Sequence, residues 1–183
     1  SLAGSPGVFS TTLSRLLRLI LRERDFVAFA RDYPQLHGMD FVAQVRAYFD
    51  VDYQVHMNER ARIPASGPLV IVANHPIGSL DGLALLKMVH EIRPDVKVVA
   101  NNLLDKIEPL RSMLLPVNNL QGVTSKTHIR AIHTFLQQGG ALIIFPAGEV
   151  SRLGANGVRD GDWNPGFLRM ASAARAPVVP VFV

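Results

Sequence analysis

Pro-Leu-Val-Ile-Val-Ala-Asn-His-Pro-Ile-Gly-Ser-Leu-Asp-Gly-Leu-Ala-Leu-Leu, residues 68 to 86, holds an apolar run, a turn and the start of a helix. Leu69 to Ala73 is short, continuous and rich in β-branched residues, as a strand buried on both faces should be. It stops at Asn74-His75-Pro76, because the residue before a proline resists the helical region and the proline itself has no N–H to give. Beyond the turn, Leu83, Leu86, Met88 and Val89 recur at helical spacing, and Ser79 or Asp81 is the expected N-cap. A histidine at the lip of a strand and a carboxylate at the head of a helix are therefore expected across one turn.

A neutral imidazole takes a proton from a hydroxyl or amine near pH 7, and a carboxylate on its other nitrogen fixes the tautomer and balances the charge that develops. The plainer reading is that Asp81 caps its helix while His75 packs at the sheet edge. The chain has no cysteine, and no serine stands in a Gly-x-Ser-x-Gly elbow. A base without a nucleophile of its own points to activation of a molecule that diffuses in.

Outward from this stretch, Val96 to Ala100 and Ala141 to Phe145 read as further buried strands, and Val178 to Val183 as a last one. Between them lie helical patterns, one of them capped by Thr124 or Ser125, running to Gln138 and stopped by Gly139-Gly140. Strands alternating with helices predict an α/β fold, a mostly parallel sheet with helices on both faces, in which the first two strands form a neighbouring parallel pair. Asn101 and Asn102 would emerge near His75. Ile107 to Leu115 is expected to be helical apart from Pro109, with a short strand over Leu114 to Val117. Val51, Tyr53, Val55 and Met57 alternate with polar residues and predict a half-buried edge strand. Asp40 is the expected cap of a short helix from Phe41 to Phe49.

The amino-terminal segment has its own character. Leu13, Leu16, Leu17, Ile20 and Leu21 line one face of a helical pattern, and from Leu13 to Arg24 four arginines stand against one glutamate. A basic amphipathic helix suits an anionic bilayer surface, although the same pattern also serves a surface helix that covers a core. Residues 1–60 are accordingly read as a helical, membrane-associating segment and residues 61–183 as the α/β domain, continuing past its last residue in a longer chain. The net charge of +4 favours an anionic partner. Nucleic acid is excluded as that partner, since no arginine-rich tail, zinc-ligand spacing or aromatic RNA-binding signature is present. His128 and His133 lack an acidic companion in ligand spacing, so no metal site is expected.

Lys126 and Arg130, one turn apart near a helix start, can hold a phosphate or the phosphopantetheine region of a donor, or simply form a solvated face. In the stretch from Glu149 to Trp163, with Gly148 just before it, Gly154, Gly157 and Gly161 accompany Arg152, Arg159, Asp160 and Asp162, which predicts a mobile loop closing over an anionic substrate. Trp163 is expected to pack that loop down.

Three separated motifs in order, Asn74-His75 with Asp81, Phe145-Pro146-Ala147-Gly148-Glu149, and Val179-Pro180-Val181, resemble the glycerolipid acyltransferase family, the enzymes that acylate glycerol phosphate and lysophospholipids. Among its branches the chain is most similar to the hemolysin-like or ornithine-lipid acyltransferases. The resemblance covers Arg62 to Val183. It departs in having five residues between His75 and Asp81 where the family has four, an insertion Gly78 can absorb. It departs again in placing Ala147 where the third motif has glutamate, with Glu149 two positions on and Ser151-Arg152 in reversed order.

The resemblance implies a glycerol-3-phosphate acyltransferase-like fold and transfer of a fatty acyl group from an acyl carrier protein or coenzyme A thioester to a hydroxyl or amine of a lysolipid. His75 would be the general base and Asp81 its orienter, with Asn74, Gly148, Glu149, Arg152, Lys126 and Arg130 in contact with substrates. Backbone N–H groups around Gly148 or in the Gly78 turn are the expected oxyanion donors. No cofactor beyond the thioester co-substrate is implied, and the enzyme would work peripherally at the cytoplasmic face of a membrane. A lipid-binding module that keeps the fold without the chemistry, and a thioesterase in which the same pair activates water, remain alternatives.

Overall fold

The computed structural model describes residues 28–29, 31–101, 107–117, 126–154 and 157–183. The amphipathic segment from Leu13 to Arg24, the asparagines 102, 118 and 119, and the caps Thr124 and Ser125 lie outside the described residues. In chain order the elements are α1 (Gly38–Tyr48), α2 (Met57–Arg60), β1 (Leu69–Ala73), α3 (Ser79–His90), β2 (Lys97–Asn101), a 3-10 helix (Glu108–Met113), β3 (Leu114–Val117), α4 (Lys126–Gln137), β4 (Ala141–Ile144), β5 (Arg152–Gly154), β6 (Gly157–Arg159), α5 (Gly166–Ala174) and β7 (Val178–Val181).

Five strands form one sheet in the order β3-β2-β4-β1-β7, and every pairing is parallel. β1 and β2 are therefore parallel, but they are not the neighbouring pair that the strand-helix-strand rhythm had suggested. β4 inserts between them because Ala141, Leu142 and Ile143 are all fully buried and need a strand on each side. The edges are set by proline. Pro116 sits in β3 and Pro180 in β7, the two outermost strands, where a missing N–H costs no ladder bond on the open side.

Alternation along β1 divides the core in two. Leu69, Ile71 and Ala73 face a cluster with Phe41, Val42 and Val45 of α1 and Leu83, Leu86 and Val89 of α3. Val70 and Val72 face the other way, onto Ile132 and Leu136 of α4 and Ala171 of α5. Helices thus cover both faces, and α1 shares one core with the sheet.

Three local expectations are corrected. Residues 51–56 form no strand and lead into α2, yet Val51, Tyr53 and Val55 still turn inward while Asp52, Gln54 and His56 are exposed. Both edges of the sheet lie elsewhere, so this extended arm buries its apolar side chains by packing alone. The N-cap of α1 is His37, with Asp40 inside the first turn. The 149–163 segment carries a two-stranded antiparallel ribbon, β5 with β6, in place of an irregular loop. Gly157, the first residue of β6, stands at φ +93°, a conformation that favours glycine.

Candidate active site

Strand order determines what stands beside His75. β1 and β4 are neighbours with Val72 opposite Ile144, so the chain leaves both strands side by side at their carboxyl ends. The His75 ring lies stacked on the Phe145 ring, with centroids 4.1 Å apart and planes at 27°. Loops at the carboxyl ends of adjacent parallel strands are where α/β sheets place their chemistry.

Asp81 reaches the same point from α3. The actual N-cap is Gly78, at φ +98° and ψ −138°, a conformation closed to residues with a side chain, and Asp81 takes the third helical position. Its Oδ2 accepts the N–H of Ile77 at 2.6 Å and that of Gly78 at 3.0 Å. These two backbone donors fasten a carboxylate that is 2% exposed. Oδ2 also lies 3.4 Å from Nδ1 of His75, beyond full hydrogen-bond length but close enough for a strong ionic attraction once the ring is protonated. His75 Nδ1 and Asp81 Oδ1 are both buried without a hydrogen-bond partner. The fifth spacer residue is absorbed by the Gly78 turn, and the pair meets.

The backbone of His75 is held from the other side. Its N–H donates to Asp160 Oδ1 at 3.1 Å and its carbonyl accepts the N–H of Ser151 at 2.8 Å. Asp160 Oδ1 further accepts the Ser151 hydroxyl, and its Oδ2 accepts Trp163 Nε1–H at 2.8 Å. Burial by itself would raise the Asp160 carboxyl, but the hydrogen bonds from Ser151, His75 and Trp163 outweigh it and hold the group below the ordinary aspartate range. Asp160 thus joins the foot of the ribbon to the histidine. Its weight was not visible in the sequence, where 85 residues separate it from His75. The nearest signal was two aspartates among the glycines of a stretch expected to close over the site.

The remaining expected residues are distributed unevenly. Both ends of the Asn74 amide are engaged with Val183, Nδ2 donating to its carbonyl at 3.0 Å and Oδ1 accepting its N–H at 2.7 Å. This clamp follows from register, since Ala73 pairs with Val181 and the two chains continue side by side. Gly148 stands at φ +69° at the end of a tight turn, and its N–H donates to Phe145 O at 3.0 Å. The Gly78 N–H is likewise committed to Asp81. Neither N–H is free for an oxyanion in this arrangement.

Glu149 and Arg152 form an ion pair at 2.6 Å on the rim, with Arg152 largely exposed. Lys126 and Arg130 are exposed on the first turns of α4 and meet none of these residues. Trp163 does pack the ribbon foot down, through Asp160 and an edge-on contact with Phe167. Among the described residues no three His, Asp or Glu side chains are grouped as metal ligands, and no helix is long and apolar enough to cross a membrane.

The chain is 28% identical over 166 residues to a lyso-glycine lipid O-acyltransferase of Bacteroides thetaiotaomicron, a match covering 90% of this chain and 60% of the relative. To the protein of the same description from Phocaeicola vulgatus it is 25% identical over 166 residues, covering 90% of this chain and 58% of that one. The chain therefore spans about three-fifths of the length of these relatives. The crystal structure of the 1-acyl-sn-glycerophosphate acyltransferase PlsC from Thermotoga maritima superposes with a TM-score of 0.55 at 21% identity, over 91% of this chain and 63% of that one, and has the same α/β fold. A family model described as Acyltransferase matches residues 5–183, nearly the whole sequence, and the chain belongs to that acyltransferase family.

Proposed function

We propose that this protein transfers a fatty acyl group from a thioester to the hydroxyl of a lysolipid, with His75 as general base. The observation that carries the reading is the His75–Asp81 pair at 3.4 Å, its carboxylate buried and its imidazole partly open, set on the Phe145 ring at the carboxyl edge of the sheet. With Asp81 beside Nδ1, that nitrogen keeps the proton and Nε2 retains the lone pair that works on substrate. Nε2 takes the proton of the acceptor hydroxyl as its oxygen attacks the thioester carbonyl. The C–S bond of the resulting tetrahedral adduct breaks, the imidazolium returns its proton to the departing thiolate, and an ester and a free thiol result. Asp81, pinned by two N–H groups, offsets the positive charge on the ring without moving.

The acceptor is read as a lysolipid with an amino-acid head group. Both relatives are described as acting on lyso-glycine lipid, and an N-acylated amino acid presents a carboxylate that suits the exposed arginines Arg152 and Arg159. Lyso-ornithine lipid, which carries the same carboxylate, is the second acceptor to offer. The donor is an acyl carrier protein or coenzyme A thioester, and the enzyme acts peripherally, on the cytoplasmic face of a membrane.

Release of free thiol from both thioesters, with and without lyso-glycine and lyso-ornithine lipid, tests this reading. Acceptor-dependent release is expected, and His75→Ala should lower it about 10³-fold. Equal release without acceptor would make the protein a thioesterase. Release that survives His75→Ala would remove the histidine from the mechanism.

A further inference from the structure

Ribbon β5–β6 is a poor candidate for a passive connection. Its register sets Leu153 directly opposite Val158 and Arg152 directly opposite Arg159. Neighbours along a strand point to opposite sides, so the ribbon has an apolar side and a basic side. Leu153 is 49% and Val158 52% exposed, a cross-strand pair that would ordinarily face a core. Two arginines facing each other repel; Arg152 is relieved by Glu149, whereas Arg159 has no carboxylate partner among the described residues.

The surroundings repeat this combination. α4 and α5 each run back toward the amino end of the following strand, so their first turns lie at the carboxyl edge of the sheet, the edge that holds His75. Exposed Ile129 with Lys126 and Arg130 stands on one, and exposed Leu168 with Arg169 on the other. Ile77, in the turn beside His75, is also exposed, and so is Trp163 at the foot of the ribbon. Elsewhere among the described residues, leaving aside Phe182 and Val183 at the end of the chain, only Tyr48 and Met57 are large exposed apolar side chains.

We infer that the β5–β6 ribbon is a docking arm that sets the carboxyl edge of the sheet, and with it the His75 site, against an anionic lipid bilayer. Exposed apolar side chains with cations close beside them match the two layers such a surface offers, acyl chains beneath and anionic head groups above. A protein partner would be expected to present carboxylates to the arginines, and a second copy of this chain would bring more arginines to them. The inference rests on the proposed reading only in taking the acceptor to lie in a bilayer. It assigns the contact to a different element from the amino-terminal segment around Leu16.

The sole tryptophan of the chain lies at the foot of the ribbon, so its fluorescence reports on this contact and not on the amino terminus. The experiment is titration of the protein with vesicles of phosphatidylcholine and of equal phosphatidylcholine and phosphatidylglycerol, read by sedimentation, by the emission maximum of Trp163 and by its quenching with brominated lipid. No thioester or acceptor is needed, so failure of the acyl-transfer reading leaves this result intact, and failure of docking leaves the His75 chemistry intact. Mixed vesicles should shift Trp163 emission to the blue and expose it to the lipid quencher.

Leu153→Thr with Val158→Thr, which keeps strand-favouring residues, should weaken sedimentation with mixed vesicles about ten-fold. Arg159→Gln should weaken it about five-fold on those vesicles and leave phosphatidylcholine unaffected. Unchanged thermal unfolding of both variants confirms that they fold. Sedimentation with Trp163 emission unmoved, sedimentation undiminished in the Thr pair, or a dimer in solution that the Thr pair splits would each overturn the inference.

Discussion

At the amino end of the sheet, buried Arg93 donates Nη1–H to Pro64 O, Nη2–H to Gly67 O and Gly139 O, and both Nε–H and Nη2–H to the carboxylate of Asp95. At the carboxyl end, buried Asp81 and half-buried His75 face each other with Oδ1 and Nδ1 unpartnered. Both ends bury ionisable groups at 2% exposure for Arg93 and Asp81. One of them spends five hydrogen bonds on the chains entering β1 and β4 and on the acid that precedes β2. The other keeps capacity in reserve. A charge with a partner on each of its nitrogens ties the fold together, whereas a pair left partly open retains the freedom to exchange a proton.

Replacing Arg93 by methionine gives the largest expected effect on the comparison. It strands three carbonyls and one carboxylate, and should cost about 3–5 kcal/mol in denaturant unfolding, with the activity of the folded fraction retained. A loss below about 1 kcal/mol would show that the amino end is not tied by this residue. The acid limb sharpens the point. The Arg93 hydrogen bond holds the Asp95 carboxyl below its ordinary range, against the opposing effect of burial. A depressed folded-state pKa contributes stability above the unfolded value, lost as pH falls through the folded one. Stability should therefore decline more gently with acid in the methionine variant.

Asp81→Asn tests the other end. The amide oxygen can still accept the Ile77 and Gly78 N–H groups, so unfolding should move by about 1 kcal/mol, whereas thiol release should fall about 10²–10³-fold because the charge beside Nδ1 is gone. A large loss of stability with little loss of rate would make Asp81 a helix residue like any other N-terminal acid. Asp160→Asn is expected to have the smallest effect of the three. Its carboxylate touches the His75 backbone and not the ring, so kcat should drop about ten-fold with KM unchanged, as for a residue that positions the base. A rise in KM alone would instead assign Asp160 to acceptor binding.

Much of this was legible in the chain because the signals are local. The run Leu69 to Ala73, the break at Asn74-His75-Pro76 and the helical spacing after Asp81 depend only on neighbours a few residues away, and β1, the turn and α3 follow them. The histidine and the carboxylate meet for the same reason, since six positions and one glycine of positive φ separate them. Local pattern misled at residues 51–56, where alternation in burial is real but no strand is available to pair with. It was silent on Arg93, which reads as one more charge at a helix end.

Sequence by itself determined the α/β class, the strands and helices near the site and the His75–Asp81 pair, all of which rest on short-range periodicity and turn chemistry. Tertiary structure alone decided that β4 lies between β1 and β2, because a strand finds its neighbours through burial on both sides, which no local pattern encodes. From that placement follow the Phe145 ring under His75, the grip of Asp160 on its backbone, the Asn74 clamp and the consumption of the Gly148 N–H. Each joins residues far apart in the chain, and such contacts exist only once the strand order has brought them together.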